Sequence, residues 1–420
     1  MVISGLRRYS TLFVLLVILS SLSYEDAKGI PVFARKYRIS CSTCHVAIAK
    51  LNSFGDAFRF NGYRFPKETR NIVEEKPVSL GGKPHEKEWP SKAIWPGEIP
   101  GVPPIAIRTL MDINLDSDSD YASEFAFPKF IFVLSGGNLG ESVSFFLNIL
   151  LIRDGSFGGL SRAFLQFDSP VWNNKMLNVK IGKFEIAAVP ISRFRRITAL
   201  SDNIVNSFKN GMNSTALRDV REGVELWGIR DGRSGGGLYY GVGIVESNRL
   251  SVTKPESKDV YARLSYKFGG LSLSGESGPV PIGGNWRDDH VRVGGFVYSG
   301  QNADLDFVRR GLDLRVQIKD LDVVVGSAFG GDDTSFSSAS EISFSAYFIE
   351  TTYLFLPWLI GVWRFDAGFT PDDPSVEDIK ELLLNLTFSV RPNVVLRTEM
   401  LRKLEGQTST KVRIRFDFAF

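Results

Sequence analysis

Cysteine and histidine are the scarcest reactive residues of this chain, with 2 Cys and 3 His among 420 residues. So few cysteines exclude a disulfide-stapled fold. A four-ligand zinc centre would have to recruit His85 or His290 from far along the chain. A charge of one sign is also missing. The 50 basic residues face 47 acidic ones, and the basic residues form no single block, so nothing points to nucleic acid. Beyond the N-terminus there is no run of about twenty apolar residues, the length a membrane-crossing helix requires. What is abundant is aromatic side chain and glycine: 32 Phe, 12 Tyr, 7 Trp and 40 Gly. That mixture suits strands and glycine-rich turns better than helical bundles. The length allows one large domain or two to three ordinary ones.

The first residues read as an address. Arg7 and Arg8 precede the apolar run Leu12 to Leu19, and Ser21 and Ser23 offer a small-x-small cleavage site before Tyr24. The run is short for a bilayer span, which disfavours the alternative of an uncleaved anchor. Residues 1–23 are therefore expected to be a signal peptide, and the mature chain to begin near Tyr24 outside the inner membrane.

Both cysteines fall in one cluster, Cys41, Cys44 and His45. Three-residue spacing would make a strained disulfide, and no βαβ pattern surrounds the pair as a thioredoxin-like site requires. The remaining reading of C-x-x-C-H is covalent attachment of haem c, with thioethers at Cys41 and Cys44 and the His45 imidazole on the iron. A thioether at Cys44 fixes the porphyrin edge so that the next residue reaches the metal. Downstream, no proline interrupts His45 to Phe60, and Leu51, Phe54 and Phe58 recur at helical spacing. The expectation is a helix over these residues with that stripe on the porphyrin, ended by a turn at Asn61 and Gly62. The preceding FARKYRIS is expected to be extended.

Residues 24–75 thus form a monohaem segment too small to bury much core unaided, which covalent haem would staple. Residues 76–104 hold seven of the 19 prolines (Pro77, Pro84, Pro90, Pro96, Pro100, Pro103 and Pro104) and read as an extended linker.

Residues 105–420 are strand after strand. At the C-terminus Val412, Ile414, Phe416, Phe418 and Phe420 alternate with Lys411, Arg413, Arg415 and Asp417. Near the start Ile105, Ile107, Thr109, Met111, Ile113 and Leu115 oppose Arg108, Asp112, Asn114 and Asp116, and in YARLSYKF Ala262, Leu264, Tyr266 and Phe268 oppose Tyr261, Arg263, Ser265 and Lys267. A soluble sandwich would show one wet face per sheet. In an exported chain ending in an aromatic-rich strand, a transmembrane antiparallel β-barrel explains the pattern better, apolar to lipid and polar to the lumen. About seventeen candidate segments appear. A barrel requires an even number, so about sixteen strands are expected, with eighteen the next choice and the ambiguity between Gly270 and Leu305. The longest break, Ala187 to Val220, is either an external loop or one folded inward. Its Arg193, Arg195 and Arg196 are candidates to meet haem propionates.

A second axial ligand is open. Met111 and Met400 sit on lipid-facing phases, while Met212 and His290 fall in segments read as loops. His85, in the linker and free to fold back, is the preferred candidate, with Met176, on the phase of Asn178 and Lys180, the alternative.

With FARKYRISCSTCH, then LNSFGDAFRFNGY, then a barrel of this length ending in Phe420, the chain resembles the fused monohaem cytochrome–porins, outer-membrane proteins of iron-oxidising bacteria. The resemblance covers the mature chain in architecture and about 35 residues in motif. It implies a haem segment that plugs or caps the barrel, and an Fe(II)-oxidising oxidoreductase that passes one electron from extracellular Fe(II) to a periplasmic cytochrome or other acceptor. Outward electron transfer to an extracellular acceptor, and a diffusion porin with a structural haem, are the competing readings. Asp116, Asp118, Asp120, Asp332 and Asp333, on segments read as external loops, are candidates to attract Fe(II) electrostatically.

Overall fold

A computed structural model describes residues 32–37, 39–66, 78–79, 98–99, 101, 104–116, 123–140, 142–169, 175–209, 213, 215–247, 257–278, 286–302, 305–333, 341–372, 378–406 and 408–420. The residues read as a signal peptide, and most of those read as a proline-rich linker, lie outside the described residues. Within 76–104 the described residues include β3 (Val78–Ser79) and β4 (Glu98–Ile99), paired antiparallel.

Period-two alternation produces sixteen antiparallel strands that close into one barrel. They are β5 (Ile105–Asp116), β6 (Glu124–Asn138), β7 (Val143–Arg153), β8 (Ser156–Phe167), β9 (Asn178–Glu185) and β10 (Val220–Asp231). Then come β11 (Gly236–Glu246), β12 (Lys258–Phe268), β13 (His290–Asn302), β14 (Leu305–Ile318) and β15 (Leu321–Asp333). The set ends with β16 (Glu341–Leu356), β17 (Leu359–Phe369), β18 (Ile379–Arg391), β19 (Val394–Lys403) and β20 (Thr410–Ala419). The parity question resolves between β12 and β13, where the described residues 269–278 and 286–289 contain no strand. The seam pairs β20 with β5, Phe416 opposite Met111, and Phe420 exchanges backbone hydrogen bonds with Ile107 of 2.9 and 2.7 Å.

The two faces of the wall separate as the alternation requires. On β12, Tyr261, Arg263, Ser265 and Lys267 are buried toward the lumen, whereas Leu264 and Phe268 are 57% and 54% exposed. Leu312 and Phe157 likewise face outward, and Met111 and Met400 keep the outward phase expected of them. A closed barrel leaves no unpaired strand edge, and an apolar outer face matches hydrocarbon. This is an outer-membrane β-barrel. No described helix is long and apolar enough to cross a membrane.

Both barrel termini emerge at the same end, where two-residue turns such as 319–320, 357–358 and 392–393 recur. Short turns mark the periplasmic end and longer loops the external one. From the periplasmic end the N-terminal segment enters the lumen as a plug. Helix α1 (Val32–Tyr37) is followed by a 3-10 turn (Cys41–Thr43), a hairpin of β1 (His45–Ala47) and β2 (Lys50–Leu51), and helix α2 (Ser53–Phe60).

Two expectations fail here. The FARKYRIS stretch is largely helical instead of extended. The helix expected from His45 begins only at Ser53, because His45 pairs with Leu51 and the chain reverses between them. Asn52 sets the true start: its side chain accepts a hydrogen bond from Gly55 N at 2.8 Å, the geometry of an N-cap. The end is as read, with Asn61 as C-cap and Gly62 at φ +62°, the left-handed conformation that favours glycine.

Between β9 and β10, the described residues 186–209 and 215–219 fold inward instead of projecting outside. Helix α3 (Ile204–Ser207) packs against β15, β16 and β17. Val205, Phe208 and Leu217 are buried with Phe344 and Phe348 of the wall. Plug and inward loop therefore occupy the lumen from opposite ends.

Candidate functional site

Between plug and loop lies a cavity of about 410 Å³, within the usual range for small-molecule and cofactor sites. Cys41, Cys44, His45, Leu51 and Phe58 line it from the plug, Phe194 from the loop, and Phe132, Phe164 and Phe184 from the wall. Phe54, the third member of the expected stripe, turns away to pack on Phe65 at 5.4 Å between ring centroids.

The local chain explains why the three motif residues share the cavity. Ser40 caps the 3-10 turn by accepting from Ser42 N, and Cys44 N donates to Cys41 O at 3.2 Å. The turn is held from below by Asn52, whose side-chain amide donates to Thr43 O at 3.0 Å, while Asn52 N donates to Cys44 O. Gly55 makes this approach possible: a Cβ there would collide with the Cys44 carbonyl oxygen and lie 3.0 Å from Leu51 Cδ2. No motif pointed to Gly55.

Burial sets the protonation of all three. The Cys41 thiol is pushed up to about 11 by burial. Cys44 is pushed up to about 12, by burial first and then by the neighbouring Cys41. Both are free thiols, uncharged near neutrality. Burial, reinforced by Arg108, lowers the His45 imidazole to about 4, so it is neutral, and its Nδ1 has no hydrogen-bond partner. Neutral imidazole is the metal-binding form.

The other candidates distribute differently. His85 and Met212 lie outside the described residues. Met176 does not line the cavity; its backbone carbonyl accepts a hydrogen bond from Tyr240 across the wall. His290 begins β13 instead of sitting in a loop, and its Nδ1 lies 2.6 Å from Asp288 O and 3.3 Å from the Asp288 carboxylate. Among the described residues the cavity lining contains no methionine and no histidine besides His45. Of the three loop arginines only Arg195 reaches the cavity, paired with Glu185 at 3.3 Å. Arg193 and Arg196 converge on buried Asp202, at 4.0 and 2.6 Å.

The aspartates proposed to draw in Fe(II) are also dispersed. Asp118 and Asp120 lie outside the described residues. Asp116 ends β5 and pairs with Lys411 at 3.1 Å, while Asp332 and Asp333 belong to β15 instead of a loop. Asp332 is buried and accepts from Asn213 at 2.8 Å, since the pairing of β15 with β16 extends through Asp333. No group of three or more His, Cys, Asp or Glu suited to a metal ion occurs among the described residues.

Sequence reasoning missed the residues that seat the plug. Lys50 reaches Asp322 at 2.8 Å and donates to Thr352 Oγ1 at 2.8 Å, with Arg315 on the same carboxylate at 2.7 Å. Ser53 donates to Asp288, Arg64 pairs with Asp168 at 2.9 Å, and Asn61 donates to Ser274 O at 2.6 Å. Their signal was available in the polar phase of the strands, where Asp322 and Arg315 fall on the lumen side.

Solved structures share this fold at low sequence identity. An anion-selective porin from Comamonas acidovorans matches with a TM-score of 0.54 and 10% identity over 75% of this chain and 98% of that one. OmpF of Salmonella typhi, in complex with daunomycin, matches at 0.51 and 9% over 75% and 97%. OmpT, an outer membrane protein of Vibrio cholerae folded in vitro, matches at 0.50 and 11% over 75% and 96%. No family model matches the chain, and no curated protein matches it. The fold and the lumen together define a porin-like outer-membrane barrel with an occupied interior.

Proposed function

We propose that this barrel is an outer-membrane electron-transfer protein that holds one covalent haem c and carries electrons from extracellular Fe(II) toward a periplasmic acceptor. The observation that carries the reading is the convergence of Cys41, Cys44 and His45 on one cavity inside a lumen filled from both ends. The donor set fits the group: two uncharged thiols in one turn, and beside them a neutral imidazole with an unpartnered nitrogen. Haem, once bound, supplies one-electron chemistry. The chain's own residues do the rest. Phe58, Phe132 and Phe164 keep the cavity apolar, and the plug places the cavity within a bilayer whose core of about 30 Å would otherwise separate donor from acceptor.

The test is haem staining after denaturing electrophoresis, followed by stopped-flow mixing of the oxidised detergent-purified protein with anaerobic Fe(II). Covalent haem lost in Cys44→Ala, with rapid reduction of one haem per chain, supports the reading. A chain without covalent haem overturns it, and haem indifferent to Fe(II) removes the iron substrate. A diffusion channel is the second reading, favoured by the porin fold of the matched structures. It predicts steady conductance in planar bilayers, whereas the filled lumen predicts almost none.

A further inference from the structure

Ten arginine and lysine side chains line the cavity against four carboxylates. Most of these cations are matched. Lys50 and Arg315 share Asp322, Lys180 lies 2.5 Å from Glu225, and Arg195 meets Glu185. Arg108, Arg263 and Lys267 reach Asp417, Asp313 and Asp288 just behind the lining, and Arg59 lies 3.7 Å from Asp56. Arg162 of β8 and Arg292 of β13 are half-buried, and the Nε of each is buried without a hydrogen-bond partner. The carboxylates that act on them, Glu185 on Arg162 and Asp313 on Arg292, are already engaged by Arg195 and Arg263. A guanidinium withdrawn from water with its counter-charge shared in this way is costly to a fold unless a further anion arrives.

Arg162 is also held in place. Its guanidinium lies 3.8 Å from the centroid of the Phe194 ring and 4.8 Å from that of Phe146. Stacking of this kind fixes the guanidinium plane and leaves its in-plane N–H fork for an acceptor, which suits a carboxylate better than a point charge would. Phe194 belongs to the inward loop and Phe146 to β7, so wall and loop orient the group jointly.

We propose that Arg162 and Arg292 form an anion clamp for the two carboxylates of the cavity's occupant. Taking the proposed haem as that occupant, on which this inference rests, the two guanidiniums receive its propionates. Arg193, Arg195 and Arg196 do not, since their charges are already matched within the chain. The clamp then has an electrical consequence. Removing either guanidinium would leave a carboxylate of the bound group unneutralised, which would favour the ferric form and lower the reduction potential.

The experiment is a spectroelectrochemical titration of the full-length protein in detergent, comparing wild type with Arg162→Gln, Arg292→Gln, Arg162→Lys, Arg292→Lys and Arg287→Gln. Heat-modifiable electrophoretic migration selects variants that retain a folded barrel, and haem stain confirms the cofactor. Each Gln variant is expected to shift the ferric/ferrous equilibrium by about tenfold, a fall near 59 mV for one electron. The Lys variants should recover most of the shift. Arg287, exposed, matched by Asp320 at 3.0 Å and outside the cavity, should leave the potential unchanged. Haem-loaded Gln variants with the wild-type potential overturn the clamp and leave the haem reading standing. A wild-type chain without haem overturns both.

Discussion

The plug and the inward loop fill the same lumen by different means. Residues 32–66 are tied to the wall largely through charge: Lys50 to Asp322, Ser53 to Asp288 and Arg64 to Asp168. One aromatic cluster of the plug (Phe33, Tyr37, Phe58, Tyr63 and Phe65) packs mostly on itself and on Phe146, while smaller clusters join Phe60 to Trp227 and Tyr239, Ala47 to Ile360 and Val362, and Ile48 to Val395 and Ala419. The inward loop instead joins the wall's own core through Ile204, Val205, Phe208 and Leu217. Its backbone is held by wall carboxylates: Ile204 N donates to Asp366 at 2.8 Å and Ala199 N to Glu399 at 2.8 Å. The loop belongs to the barrel's main core, whereas the plug is seated by ion pairs set among small separate apolar clusters. Ionic seating depends on protonation and on each partner being present, so the two regions should come apart under different perturbations.

The largest separation should follow Asp322→Asn. It strands Lys50 and Arg315 in a buried site, and breaking a buried pair costs about 3–5 kcal/mol. Limited proteolysis should then cut the plug while heat-modifiable migration shows the barrel intact. Phe208→Ala should act in the opposite sense, loosening the loop and sparing the plug. Phe208 stacks on Phe344 at 5.0 Å, and the truncation should cost about 3 kcal/mol and raise single-channel conductance. Gly55→Ala should be milder, about 1–3 kcal/mol of overpacking, but confined to the Cys44 turn. The expected readout is reduced covalent haem yield with unchanged barrel stability. The smallest effect is on acid sensitivity. Burial alone would raise Asp288, but His290, Lys267 and Ser53 hold its carboxyl well below the usual range. A depressed folded value means that its contribution, about 1–2 kcal/mol, is present above the unfolded value near 3.9 and lost as pH falls through the folded one. Asp288→Asn should remove that part of the acid-dependent release of the plug, followed by tryptophan fluorescence or proteolysis.

The barrel was legible because a half-exposed strand writes its two faces into alternate residues, and the C-terminal alternation from Lys411 to Phe420 recurs in the observed phase. Glycine-rich residues 269–289 defeated the strand count because turn residues and short apolar runs look alike without their partners. The motif residues were legible as a set, since Cys41, Cys44 and His45 are neighbours in sequence. Their setting was not. The helix boundary was placed by the absence of proline, whereas Asn52 capping and the reversal at His45–Leu51 decided it. The pairs that seat the plug join residues 104 or more positions apart, and neither propensity nor spacing reports such contacts. Arg162 and Arg292 look like any other lumen-facing arginine until the partners of every neighbouring cation are known.

One feature of the topology bears on how the molecule is made. The plug leads, through residues 67–104, into β5, and β5 is the strand that β20 meets last in sequence to shut the ring. Arg35 of α1 donates to the carbonyl of Ile105 at the foot of that strand, so the segment sits against the seam itself. Once the seam is sealed, Cys41 and Cys44 are enclosed by plug, loop and wall. A group joined to them before the plug is seated would be held by that enclosure, so the connectivity suits an order of modification first and seating second, with the finished barrel acting as the lock on its own cargo.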